Sequence, residues 1–237
     1  MRNRVRRAVL LVVVLLSRAA PSEAGGRPVT FASLDGVTLS AQFYEASARP
    51  APGVVLVHML ARSKADWDEF AQKLEDAGIT SLAIDLRGHG GSGGSATSLQ
   101  AMAQDVRAAV QWLSGRPGVR PDAIGVAGAS LGANLALIVA ADQPLVRVVA
   151  AVSPSLDYRG VRVGPELMRK LGDKRVWLGA SSEDPYAART LHELTVDGGG
   201  RREQYQTPTV AHGTNLLAAD ASFASGLVDW LRQRLLS

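Results

Sequence analysis

From Val29 onward the apolar positions switch repeatedly between a period of two and a period near 3.6, which predicts strands alternating with helices. Val29–Leu34 and Val37–Tyr44 flank Asp35-Gly36, a pair suited to a two-residue hairpin, so the fold should open antiparallel. Pro50-Ala51-Pro52-Gly53 breaks the chain, and Val54–Val57 is apolar throughout, as in a strand covered on both faces. Ala65–Ala77 carries Trp67, Phe70, Leu74 and Ala77 at helical spacing and stops at Gly78. The unit then recurs as strand Ile79–Ile84, glycine-rich loop Arg87–Ser95, helix Leu99–Leu113, strand Ala123–Ala127, helix Leu131–Ala141 and strand Val146–Val152. A short helix near Pro165–Leu171, a strand Val176–Ala180, a helix Ala187–Val196, a strand Gln204–Thr209 and a helix Asn215–Leu235 complete the series. Such alternation gives a three-layer α/β sandwich, a mostly parallel sheet with helices on both faces, and no linker or repeat divides it.

The first 24 residues follow another logic. Arg2, Arg4, Arg6 and Arg7 precede an apolar run from Ala8 to Leu16, followed by small residues up to Ala24. That order predicts a secretory signal cleaved after Ala24, leaving 25–237 as a single domain that is secreted or periplasmic. The apolar run is far shorter than the roughly 20 residues a membrane span needs, so no stable membrane anchor is expected. The segment also changes how charge is read: its five arginines and one glutamate carry the whole formal surplus of +4. The remaining chain is neutral and lacks the basic footprint of a nucleic-acid binder. With no cysteine, disulfides, thiolate zinc sites and thiol nucleophiles are excluded.

In a parallel sheet, chemistry gathers beyond the carboxyl ends of the strands. Gly128-Ala129-Ser130-Leu131-Gly132 falls between a strand and a helix, where a sharp turn projects a nucleophile and a Cβ on either glycine would clash. Ser130 would also face the helix N-terminus, whose free N–H groups stabilise developing negative charge; the bland reading is a serine that caps the helix. A serine hydroxyl needs a base. Only His192 and His212 follow it; His192 falls inside a helix, and His212 falls between the last strand and the last helix. The carboxylate that orients the imidazole should follow Val176–Ala180, which favours Asp184, with Glu183 and Asp157 as alternatives and a helix cap as Asp184's bland role. Arg87–Ser95 lacks the Gly-Lys-Ser/Thr ending of a phosphate loop, so it reads as a turn that shapes a rim. His58 and His89 have no carboxylate cluster or metal-ligand spacing, and neither a metal nor a cofactor is implied.

The order Ser130, Asp184, His212 is that of the α/β-hydrolases. With Val54-Val55-Leu56-Val57-His58, Asp85-Leu86-Arg87-Gly88-His89-Gly90 and Ala211-His212-Gly213 it makes the chain resemble that superfamily, and within it the compact bacterial esterases and dienelactone-hydrolase-like proteins. The resemblance implies an oxyanion hole of two backbone N–H groups: one from Leu131, the other from the loop after His58. Where many relatives have His-Gly followed by the donor, this chain reads His58-Met59-Leu60, which makes Leu60 the second donor and Met59 the alternative. The stretch between Ser153 and Lys174 is too short for a large cap, so the pocket should be shallow. Met59, Leu60, Trp67, Leu156 and Tyr158 are its candidate walls, though core or rim packing would explain each equally well. The expected activity is serine hydrolysis of a small ester-type substrate through an acyl-enzyme. A thioesterase, lipase, amidase or peptidase, or a non-catalytic binding protein on the same fold, remains the alternative.

Overall fold

The computed structural model describes residues 25–196 and 201–236; the expected signal segment and its cleavage point lie outside them. Eight of its ten strands form one sheet. In chain order the strands are β1 (Arg27–Ala32), β2 (Thr38–Tyr44), β3 (Ala51–Val57), β4 (Thr80–Ile84), β5 (Val119–Ala129), β6 (Val146–Val152), β7 (Asp157–Tyr158), β8 (Val161–Arg162), β9 (Arg175–Ser181) and β10 (Arg202–Thr207). The large sheet runs β1-β2-β4-β3-β5-β6-β9-β10, and β7 and β8 pair separately as a small ribbon. β2 is antiparallel to both neighbours, and every other pairing in the large sheet is parallel.

Helices α1 (Asp68–Asp76), α2 (Met102–Ser114), α3 (Leu131–Asp142), α4 (Pro165–Lys170), α5 (Pro185–Val196), α6 (Thr214–Ala219) and α7 (Ala221–Leu236) cover both faces. The side-chain alternation of β3 shows why. Val55 and Val57 point into the core beneath α2 to α5, whereas Val54 and Leu56 point into the core beneath α1, α6 and α7. Both faces of β3 are therefore apolar, as in any strand covered on two sides. No helix among the described residues is long and apolar enough to cross a membrane.

Three local expectations are corrected. The first hairpin does not turn on two residues: Ala32 pairs with Thr38, leaving Ser33–Val37 as the connection. That longer loop lets Asp35 reach the guanidinium of Arg87 at 2.7 Å, and Ser33 Oγ donate to Asp105 at 2.7 Å. The helix expected from Ala65 begins as a 3-10 turn, Lys64–Trp67, before α1. The closing helix is broken at Asp220, whose Oδ2 accepts from Thr209 at 2.9 Å while Oδ1 caps α7 through the Phe223 N–H at 2.9 Å. A carboxylate satisfied in both directions there stabilises a break that a continuous amphipathic pattern hides.

Between β6 and β9 the chain forms only the β7–β8 ribbon and α4, so there is no cap domain. This segment is tied to α3 by the buried Asn134. Its Nδ2 donates to the carbonyls of Ser155 (2.8 Å) and Val161 (2.7 Å), and its Oδ1 accepts the Ser155 N–H at 3.0 Å.

Candidate active site

The bend at Ser130 is the sharpest feature of the sheet's carboxyl edge. Ser130 has φ 53° and ψ −117°, a left-handed conformation that costs a non-glycine residue roughly 1–3 kcal/mol. It is held there by its N–H, which donates to Val152 O at 2.9 Å, and by the start of α3 immediately afterwards. The steric reading of the flanking glycines holds. A Cβ on Gly128 would lie 2.0 Å from Gly132 O, and one on Gly132 would lie 2.2 Å from Val57 O. The Ser130 side chain makes no capping hydrogen bond to α3, so the cap reading of this serine is set aside. Leu131 opens the helix, and its N–H is among the donors that a helix start leaves without an intrahelical acceptor.

Asp184 and His212 are brought together by the ends of two neighbouring segments. Asp184 Oδ2 lies 2.6 Å from His212 Nδ1, while Asp184 Oδ1 accepts the Ala187 N–H at 3.0 Å and caps α5. One oxygen thus contacts the imidazole and the other caps the helix. Neither alternative acid shares the site: Glu183 is exposed, and Asp157 is bound to Arg162 and the Gly160 N–H on the β7–β8 ribbon. With a carboxylate accepting at Nδ1, the proton sits on that nitrogen and Nε2 carries the free lone pair. The His212 side chain is about half exposed (46%), so the imidazole is open to solvent.

The loop carrying His212 is fixed against the Ser130 turn. Gly213 N–H donates to Ser153 Oγ at 3.0 Å, and a Cβ on Gly213 would meet Met59 Sδ at 2.2 Å and Ala129 Cβ at 3.5 Å. His212 therefore adjoins a residue packed on the neighbour of Ser130. No hydrogen bond joins the Ser130 hydroxyl to His212 among the described residues; contacts of this kind commonly tighten only in the substrate complex. Ser153 was not singled out by sequence reasoning. It is fully buried, has φ 51°, and stands one residue beyond the carbonyl that holds Ser130.

The loop after β3 lies over the same edge. Met59 is nearly buried, and Leu60 is partly buried with no acceptor for its N–H among the described residues. Leu156 and Tyr158 are also partly buried and pack against the core beneath α2 to α5. Trp67 is corrected: it is fully buried under α1 and packs edge-on against Phe70 at 5.6 Å, so it belongs to the core and not to a pocket wall. At the loop's far end Lys64 forms an ion pair with the buried Asp85, whose Oδ1 accepts the Lys64 N–H (2.8 Å) and Oδ2 the Gly91 N–H (2.9 Å). Burial alone would raise the Asp85 pKa, but these donors outweigh it and lower the pKa from its ordinary value. Burial pushes His58 the other way from charge, below the ordinary imidazole value, and so favours its neutral form.

Comparisons with known proteins identify the family and the fold. The family described as serine aminopeptidase, S33, matches residues 48–207, a span that contains Ser130 and Asp184 and ends just before His212. The Stachybotrys chlorohalonatus polyketide transferase ATR5 is 34% identical over 137 residues, 55% of this chain and 45% of that protein. The chain spans less than half the length of the curated relatives it matches. Among solved structures, the α/β hydrolase GrgF from Penicillium superposes with a TM-score of 0.76 at 17% identity, covering 89% of this chain and 99% of that one. The Pyrococcus furiosus esterase Pf2001 gives 0.73 at 20% identity, covering 89% and 93%. The chain belongs to the S33 family of hydrolases and has the α/β-hydrolase fold.

Proposed function

We propose that this α/β-hydrolase cleaves a small carboxylic-ester-type substrate through an acyl-serine intermediate, acting outside the cytoplasm. Ser130 Oγ attacks the acyl carbon as His212 Nε2 takes its proton, and Asp184 holds the imidazole and stabilises its cationic form. The N–H groups of Leu131 and Leu60 receive the negative charge that develops on the carbonyl oxygen. The proton on Nε2 then passes to the leaving alcohol as the C–O bond breaks. Water, deprotonated by the same nitrogen, attacks the acyl-enzyme and releases the acid with Ser130 restored.

The observation that carries the reading is the 2.6 Å contact between Asp184 and His212, on a loop packed against the strained Ser130 turn. An unreactive structural serine would not need a left-handed bend, and a solvated surface histidine would not need a carboxylate on Nδ1. The short segment between β6 and β9 carries no cap domain, which suits a small substrate. Labelling with a fluorophosphonate tests the assignment: the wild-type chain should be labelled and Ser130→Ala should not. Equal labelling of the variant would remove Ser130 from the chemistry. Hydrolysis of p-nitrophenyl esters of increasing chain length then sizes the acyl site.

A second reading concerns the acceptor. An acyl-enzyme can be discharged by an alcohol or amine in place of water, and the relative ATR5 is named a polyketide transferase. Product analysis with added alcohols distinguishes the two, because a transferase yields a new ester at the expense of free acid.

A further inference from the structure

Two histidines that the proposed triad does not use hold the loop carrying the second oxyanion donor. His58 is completely buried. Its Nδ1 lies 2.6 Å from the Met59 carbonyl, and its Nε2 lies 3.0 Å from the Leu86 backbone nitrogen. A carbonyl can only accept and a backbone N–H can only donate, so both contacts are satisfied by one form alone: neutral imidazole with the proton on Nδ1. His89 repeats the arrangement from the other side. Its Nδ1 faces Arg87 O at 3.0 Å, and its Nε2 accepts the Ala61 N–H at 3.2 Å, which again requires the Nδ1–H tautomer. The two rings lie 5.1 Å apart, and between them they grip the loop at residues 59 and 61.

The grip fixes a direction. The Met59 carbonyl accepts from His58 and also from the Arg62 N–H at 3.3 Å. Because the Met59–Leu60 peptide is planar and trans, anchoring its C=O on one side turns the Leu60 N–H to the other. That N–H has no acceptor among the described residues. The next residue, Ala61, is held at φ 58°, which an alanine avoids unless its surroundings impose it. The preceding backbone is pinned over the nucleophile helix, since a Cβ on Gly132 would touch Val57 O at 2.2 Å and His58 O at 2.7 Å.

We propose that His58 and His89 are positioning residues that hold the Met59–Leu60 peptide with its N–H toward the reacting carbonyl. In this chain they take over the loop-shaping task that a glycine at position 59 would otherwise perform. This rests on the acyl-serine reading above. Without the pair the peptide can rotate, and the donor is lost at the moment charge develops on the substrate oxygen, while ground-state binding is little changed.

The test measures the rate of fluorophosphonate labelling at Ser130, together with kcat and KM on p-nitrophenyl acetate, for the full chain and for His58→Leu, His58→Asn and His89→Leu. A lost oxyanion donor lowers rates by up to about 100- to 1,000-fold. Both leucine variants should therefore label and turn over at least roughly tenfold more slowly, with KM within about threefold of wild type. His58→Asn keeps a donor near the Nδ1 position and should recover most of the loss. Leucine variants with lower melting temperatures but wild-type labelling rates would make the pair ordinary packing and overturn the assignment. Should His58→Leu fail to fold, the partly exposed His89 decides alone by the same rates. A wild-type chain that takes no label at all overturns the acyl-serine reading itself, and the positioning roles fall with it.

Discussion

The bend at Ser130 makes a thermodynamic prediction that does not depend on any substrate. Ser130 sits at φ 53° and ψ −117°, and its side chain caps nothing, so its hydroxyl contributes little to stability while its Cβ carries the cost of the conformation. Ser130→Ala keeps the Cβ and the strain, and should lie within about 0.5 kcal/mol of wild type. Ser130→Gly removes the Cβ and relieves roughly 1–3 kcal/mol. Against this stands about 0.5–1 kcal/mol of extra unfolded-chain freedom for glycine. The net is a gain of about 1 kcal/mol, or a melting temperature some 2–4 °C above that of the alanine variant for a domain of this size. Differential scanning calorimetry of the two variants side by side is the assay. A glycine variant melting at or below the alanine variant would refute the idea that strain is stored at this turn.

Asp184→Asn should separate the two jobs of one side chain. Its amide oxygen can still cap α5, so stability should change by less than about 0.5 kcal/mol, while the lost charge and wrong imidazole tautomer should lower kcat by on the order of 10⁴; equal losses in kcat and KM-independent folding signals would argue for a structural role only. Arg87→Met leaves Asp105 buried without its cation and should cost about 3–5 kcal/mol in chemical denaturation, much of it recovered when Asp105→Leu is added; an additive double variant would contradict the coupling. Because burial lowers the His58 pKa below its ordinary 6.5, the unfolded chain binds a proton that the folded chain refuses. Stability should therefore fall as pH drops below 6.5, by up to about 1.4 kcal/mol per pH unit from this group, and His58→Asn should flatten that slope relative to wild type. Finally, N-terminal sequencing of exported protein should begin at Gly25, and an exported chain that still begins at Met1 would contradict cleavage after Ala24.

What could be read in the sequence was what local sterics and periodicity enforce. The apolar runs gave the succession of strands and helices and a mostly parallel sheet, though not the order of strands across it, and Gly128 and Gly132 announced a crowded turn because no side chain fits where they stand. Asp184 and His212 were found from their positions after strands, which place them on one edge whatever the intervening chain does. What escaped depends on contacts between distant residues. The break at Asp220 is stabilised by Thr207 and Thr209 on another element. Trp67 has the same helical spacing whether it faces a pocket or the core, and periodicity cannot tell those sides apart. Ser153 and the pair His58 and His89 act on backbone groups up to 60 residues away, and nothing in their immediate neighbours signals it.

The Asn134 tether has a consequence for how molecules enter and leave. With three hydrogen bonds from Asn134 of α3 to Ser155 and Val161, the segment between β6 and β9 is fastened to the helix that follows Ser130. On the proposed ester-hydrolase reading, a segment fastened in this way leaves little to be released at an oil–water boundary, and the rate should climb smoothly as a sparingly soluble ester passes its saturation point.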